Sequence, residues 1–140
     1  MTYGRSGTSA YQSIATHGGV SAADPHRLVL MLLDGALARV AQARGCDANG
    51  EKLEATLHVQ KALAIVGELK AALDLSQGEI ARNLDSLYDY ICRLLLVAHI
   101  PSKRDVLPEV SQLLGEIRTA WAAIPPAQRD VTASSTRPVR

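Results

Sequence analysis

Apolar side chains recur at helical spacing along four segments of this chain, and no other feature constrains its fold as strongly. The stripe of the first segment consists of Leu28, Leu32, Ala36 and Val40, with Met31 and Leu37 beside it. Residues three and four apart share one face of an α-helix, whereas a half-buried strand alternates apolar and polar residues. No segment alternates in this way, so the sequence predicts an all-α protein.

Turn-forming residues separate the segments and define the predicted helices. Asp24 followed by Pro25 is typical of a helix start, because the carboxylate accepts a free backbone N–H and proline already has a helical φ angle. Pro108 belongs in the first turn of the fourth helix, since a proline in a helix interior costs about 3 kcal/mol. We therefore expect Asp105 to be the N-cap of that helix. The predicted helices cover 25–44, 51–75, 79–98 and about 105–124.

Four amphipathic helices joined by short connections predict an antiparallel up-down four-helix bundle over residues 23–124. Gly35 is expected to let a neighbouring helix approach closely, and Trp121 is expected to close one end of the bundle. Residues 1–22, which are rich in Gly, Ser, Thr and Ala, are expected to form a flexible or partly helical arm. The polar stretch 125–140 is expected to be a disordered tail.

The composition argues against nucleic acid and membranes as partners. Hydrophobic residues make up 47% of the chain but aromatic residues only 4%, so aliphatic side chains must fill the core. The formal net charge of +1 provides no field that would attract nucleic acid. The longest apolar run, 28–33, is too short to cross a bilayer, and the amino terminus lacks a secretory signal. We expect a cytoplasmic protein without membrane insertion.

Reactive side chains are scattered rather than clustered. Cys46 and Cys92 are far apart and have no CxxC spacing, so neither a zinc site nor a disulfide is predicted. Glu54 and His58 share a helix face, but a metal centre in a bundle needs carboxylates from several helices. His26 lies near a helix end and is expected to be exposed. We expect no catalytic site, no metal and no cofactor.

One short motif allows an alternative function. The segment from His58 to Ala62 resembles the His-x-x-Lys-Gly core of histidine phosphotransfer domains, which are also four-helix bundles. The resemblance implies that His58 would carry a phosphoryl group and that Lys61 would steady its charge. Ala62 stands where that family has glycine, and a short motif alone is weak support. A solvated histidine and lysine are the simpler interpretation.

Four longer segments together carry a second and more specific resemblance. They are Ala23–Ala36 (ADPHRLVLMLLDGA), Lys61–Val66 (KALAIV), Gly78–Ile91 (GEIARNLDSLYDYI) and Glu109–Trp121. Read in combination, they resemble the FliS family of flagellar secretion chaperones, over about residues 3–121 and without obvious insertions. The resemblance implies a cytosolic chaperone, not an enzyme, that binds the carboxy-terminal segment of flagellin. It also implies that the chaperone prevents premature polymerisation and delivers flagellin to the flagellar type III export gate.

The wide apolar surface of the second and third helices is the expected binding groove for such a segment. Ile65 and Ala72 lie off the core stripe and favour the groove, whereas Leu69, Leu84 and Leu87 fit groove and core equally well. The full set of predicted flagellin contacts is Ile65, Leu69, Ala72, Leu73, Ile80, Asn83, Leu84 and Leu87.

A soluble protein does not readily leave a long apolar groove exposed to water, so we expect another part of the chain to cover it in the free protein. Tyr3, Tyr11 and Ile14 are the predicted anchors of the amino-terminal arm, which would act either as a plug that flagellin displaces or as a fixed cap. A further alternative is a helical scaffold that uses its apolar flank to form a homodimer.

Overall fold

The computed structural model describes residues 24–125, and these form four α-helices and two 3₁₀ turns without a strand. Helix α1 covers Pro25–Ala48, α2 Lys52–Ala71, α3 Glu79–Val97 and α4 Leu107–Ala122. The 3₁₀ turns cover Leu75–Gln77 and Pro101–Val106. Neighbouring helices in the sequence pack against each other, and α4 returns to α1. The all-α prediction is confirmed, whereas the expectations for the terminal arm and tail lie outside the described residues.

The start of α1 follows the predicted capping. The Asp24 carboxylate accepts a hydrogen bond from the His26 backbone N–H at 3.0 Å, and Pro25 occupies the first helical position. The end of α1 was predicted wrongly, because the helix continues past Gly45 to Ala48. The actual turn is made by Gly50, whose φ of +79° is a conformation that favours glycine.

Helix α2 ends earlier than predicted because Asp74 offers the backbone a competing partner. Its carboxylate accepts hydrogen bonds from the Ser76 N–H at 3.1 Å and the Ser76 hydroxyl at 2.6 Å. The side chain of Gln77 donates to it as well. These bonds lower the pKa of Asp74, and the bond from the Ser76 side chain has the largest effect. Such local bonds favour a turn over a continuing helix.

Pro108 lies in the first turn of α4, as predicted, but Asp105 is not the N-cap. The residue before the helix is Val106, which makes no side-chain capping bond, and the preceding 3₁₀ turn runs directly into α4. The segment predicted as a plain connection is thus a short helix of its own.

One face of each helix supplies the core, and the core is mostly aliphatic. Tyr88 is its largest fully buried side chain. In α1 the predicted stripe is right for Ala36 and Val40, which are buried, but the first two turns bury Val29 and Leu33 in place of Leu28 and Leu32, which are only partly buried. Met31, expected beside the stripe, is 56% exposed. The buried residues of α1 are His26, Val29, Leu33, Ala36, Val40 and Ala43.

His26 and Trp121 close one end of the bundle. The Trp121 indole N–H donates to the His26 carbonyl at 3.1 Å, and His26 Nε2 lies 2.7 Å from the Trp121 carbonyl. Their rings stack with centroids 5.6 Å apart. His26 is therefore buried, and the prediction that it is exposed was wrong. The predicted role of Trp121 at a bundle end agrees with this geometry.

Arg104 holds the opposite end together, and sequence reasoning missed it. Its side chain is only 2% exposed, and the guanidinium donates hydrogen bonds to groups from three parts of the chain. The acceptors are the carbonyls of Lys52, Ala98 and His99, the Thr56 hydroxyl and the Asp47 carboxylate. Because a buried charge is stable only when paired and hydrogen-bonded, these contacts account for its position.

Replacing Arg104 tests this role. We expect Arg104→Met to lower the free energy of unfolding by about 2–4 kcal/mol, because several buried acceptors lose their donor while the aliphatic volume is kept. The neighbouring Lys103 is exposed, so Lys103→Met should change it by less than about 0.5 kcal/mol. Urea denaturation of both variants measures the difference, and equal midpoints would contradict the proposed role.

Trp121 gives a second stability prediction. The residue is 5% exposed, and Trp121→Ala should cost about 3–5 kcal/mol through lost burial and a remaining cavity. Trp121→Phe keeps most of the ring but removes the N–H donor to His26, so its cost should be smaller. An unchanged thermal midpoint for the alanine variant would show that the indole does not close the bundle.

Candidate functional site

The predicted flagellin contacts do not form one continuous groove. Helix α2 directs different rows of side chains towards α1 and α3, and α3 lies between α2 and α4. Ile65 of α2 lies next to Gly35 of α1. On α3, Leu87 lies one turn before Tyr90, which contacts α4. The predicted residues on α2 and those on α3 thus fall along two different helix seams. We refer to these as the α1–α2 seam and the α3–α4 seam.

The α1–α2 seam contains Ile65 and Ala72, which are half-buried and pack against the core. They are seven residues apart on α2 and so lie on one face. A Cβ atom added to Gly35 of α1 would lie 3.6 Å from Ile65 Cδ1, which identifies the neighbouring helix. That distance is an ordinary contact, so the expectation that Gly35 is needed for a close approach was wrong.

The α3–α4 seam contains the predicted residues of α3. Leu84 and Leu87 are half-buried and pack against the core, Ile80 is half-buried, and Asn83 is exposed. Tyr90 follows on the same side of α3 and donates a hydrogen bond to the Glu109 carboxylate of α4 at 2.6 Å. This bond raises the pKa of Tyr90. Contacts between α3 and α4 are sparse compared with the other neighbouring pairs, which leaves this seam the more open.

Leu69, one of the predicted contacts, lies in the core of the bundle. Its side chain is fully buried and belongs to the central core cluster, which answers the choice between core and groove for this residue. Leu73, one turn further along, is half-buried at the end of α2 and packs on the same cluster.

Ion pairs connect the other two pairs of neighbouring helices, α2 with α3 and α4 with α1. Lys70 of α2 pairs with Asp85 of α3 at 3.1 Å. Arg118 of α4 holds Asp34 of α1 with two hydrogen bonds of 2.7 and 3.3 Å. The bond to Asp34 raises the pKa of Arg118. Both pairs are partly exposed, so each is expected to contribute little to stability.

Several large apolar residues that were not among the predicted flagellin contacts are also exposed. Leu53 is 82% exposed, Leu57 53% and Leu75 46%, all on or just after α2. Leu96 and Ile100, at the end of α3, are 56% and 47% exposed. The signal was present in the sequence, because Leu53 and Leu57 lie off the core stripe of α2.

His58 contacts α1 rather than Glu54. Arg39 Nη1 lies 3.2 Å from His58 Nδ1, and a guanidinium can only donate, so Nδ1 is the acceptor. Lys61 is exposed one turn further on. The pair of Glu54 and His58 is thus not a contact of this structure. Within residues 24–125 no three side chains of metal-binding types cluster.

The two cysteines are separate, half-buried thiols. Burial, followed by the nearby carboxylate of Glu51, raises the pKa of Cys46. Burial and Asp89 raise the pKa of Cys92, and the Lys70 ammonium partly opposes them. Because the thiolate is the reactive form, both cysteines should react slowly near neutral pH.

The thiol environments give a prediction about alkylation. Near pH 8 both cysteines of the folded chain should react with iodoacetamide more slowly than in the urea-unfolded chain, whose thiols have an ordinary pKa of about 8.5. Asp89→Asn should speed the reaction of Cys92, since it removes a charge that disfavours the thiolate. Lys70→Ala should slow it. Mass spectrometry of each peptide measures the rates, and equal rates in all three proteins would contradict the assignment.

Helices of the described region are not long and apolar enough to span a membrane. The partly exposed apolar seams of this small helical bundle are typical of surfaces that bind protein segments. The family model for the flagellar protein FliS matches residues 7–128. The chain therefore belongs to the FliS family, as the resemblance in its sequence predicted.

Named relatives support the same family. The flagellar secretion chaperone FliSB of Pseudomonas aeruginosa is 39% identical over 123 residues, which is 87% of this chain and 98% of the relative. FliS of Salmonella typhimurium is 39% identical over 126 residues, covering 89% and 93%. FliS of Vibrio cholerae is 33% identical over 131 residues, covering 93% and 96%. These relatives are named as chaperones, which are not enzymes, in agreement with the prediction for this chain.

Proposed function

We propose that this chain is a cytosolic export chaperone that binds the carboxy-terminal segment of flagellin. Binding would prevent premature polymerisation, and the chaperone would deliver flagellin to the flagellar type III export apparatus. The observation that carries the proposal is the pair of partly exposed apolar seams in a bundle of the FliS family.

The seams match the chemistry of such a partner. An amphipathic helix docks by laying its apolar face into a groove, with anchors at spacings of three, four and seven residues. Leu84 and Leu87 offer a row of this kind beside α4, and Ile65 and Ala72 offer another beside α1. A segment that uses both rows has to wrap around the bundle. Such a partner pays ordering entropy when it folds on the chaperone, which lowers its net affinity and favours later release.

The α3–α4 seam gives the first test. We expect Leu87→Asp to weaken binding of a flagellin carboxy-terminal peptide by about 30-fold or more, because a central apolar contact is replaced by a charge. Ser86→Asp is the matched control, since Ser86 is the adjacent exposed residue, and it should bind as the unchanged chain does. Isothermal titration calorimetry measures the affinities.

Folding has to be separated from binding in this test, because Leu87 also packs on the core. Circular dichroism and the thermal midpoint of Leu87→Asp show whether the bundle is intact. Asn83→Arg is a second variant, at an exposed position of the same seam, and should weaken binding without changing the midpoint. Unchanged affinity in both folded variants would exclude the α3–α4 seam as the binding surface.

A further inference from the structure

A hydrogen bond bridges the outer side of the α3–α4 seam. The Tyr90 hydroxyl of α3 donates to the Glu109 carboxylate of α4 at 2.6 Å, a distance typical of a bond to a charged acceptor. Both residues are exposed, Tyr90 by 41%, whereas Leu87 and Leu113, one turn away on the same helices, are half-buried and pack against the core. The bond therefore lies above the apolar floor of the seam.

This apolar floor continues on both sides of the bridge. On α3, Leu87 lies one turn before Tyr90 and Leu94 lies one turn after it, and both leucines are half-buried. On α4, Leu113 lies one turn after Glu109. Because α4 begins at the end of the bundle where α3 ends, the two helices run antiparallel. Leu87 and Leu113 therefore lie on the same side of the bridge, and Leu94 lies on the other side.

A helix that fills the seam cannot leave the bridge in place. An α-helix with its side chains is about 10–12 Å in diameter. To contact the floor on both sides of the bridge, such a helix has to occupy the space in which the Tyr90 and Glu109 side chains meet. The bridge also joins the most sparsely packed pair of neighbouring helices. It thus covers the seam and connects its two walls.

We propose that the Tyr90–Glu109 hydrogen bond is a latch across the α3–α4 seam, which a docking segment has to open. The latch is an autoinhibitory contact, because it favours the covered seam in the free chain. The apparent affinity for a segment is reduced by the fraction of chains in which the seam is competent to bind. The identity of the segment as flagellin rests on the proposed function, whereas the covering of the seam does not.

A double-mutant cycle tests the latch. Tyr90→Phe removes the donor and Glu109→Ala the acceptor, and each should tighten binding of a flagellin carboxy-terminal peptide by about 3- to 10-fold, as expected for the net effect of one hydrogen bond. Because both changes break the same bond, the double variant should gain no more than either single variant. Isothermal titration calorimetry measures the affinities.

Glu116→Ala is the matched control for the loss of a carboxylate. Glu116 is exposed, lies seven residues after Glu109 on the same face of α4, and accepts a hydrogen bond from Gln112 of its own helix. Its replacement should leave the affinity unchanged. Tyr90→Phe and Glu109→Ala have to respond alike, so a gain in only one of them, a loss in either, or gains that add in the double variant would overturn the latch.

A measurement without flagellin separates the latch from the proposed function. Opening the latch exposes the apolar floor, so the dye anilinonaphthalene sulfonate should bind more strongly to Tyr90→Phe and Glu109→Ala than to the unchanged chain or to Glu116→Ala. Circular dichroism verifies that each variant stays folded. A dye response without any binding of the peptide would refute the flagellin partner and keep the latch. Peptide binding without a change in dye response or affinity would refute the latch alone.

Discussion

One buried guanidinium determines how the connections of this bundle can be arranged. Arg104 donates hydrogen bonds to acceptors at the end of α1, the start of α2 and the end of α3. It therefore holds together the end of the bundle at which these elements meet. A charge in this position is tolerated only because nearly all its donors are used. The 3₁₀ turn that carries Arg104 also leads directly into α4. The register of the fourth helix therefore depends on the same side chain.

The opposite end is closed by a different interaction, between the first turn of α1 and the last turn of α4. His26 and Trp121 exchange contacts with each other's backbone and stack their rings. With both ends held by specific polar contacts, the long seams between helices need not be packed as tightly to keep the fold. This explains how the α3–α4 seam can stay open while the bundle keeps its arrangement. The polar contacts at both ends are thus compatible with the proposed use of the seams.

Much of the fold could be predicted from the sequence, and the errors have identifiable causes. Helix type, helix order and the start of α1 follow from periodicity and from the capping pair Asp24 and Pro25. The first half of the α1 stripe was placed one residue too early because apolar residues extend around the helix there, and only packing shows which side is inside. His26 and Arg104 were missed for a related reason. Polar residues are usually exposed. The burial of His26 depends on Trp121, 95 positions away, and that of Arg104 on partners up to 57 positions away.

The candidate site was predicted less completely than the fold, and α2 shows why. Apolar residues lie on its core face, on the face towards α1 and on its exposed face. Adjacent residues point about 100° apart, so Ala64 is exposed while Ile65 packs beside Gly35 of α1. Periodicity detects that a residue lies off the core stripe, but it does not tell on which side a neighbouring helix lies. Because Ala64 and Ile65 face different surroundings although they are consecutive, only a substitution at Ile65 tests the binding of a partner in the α1–α2 seam.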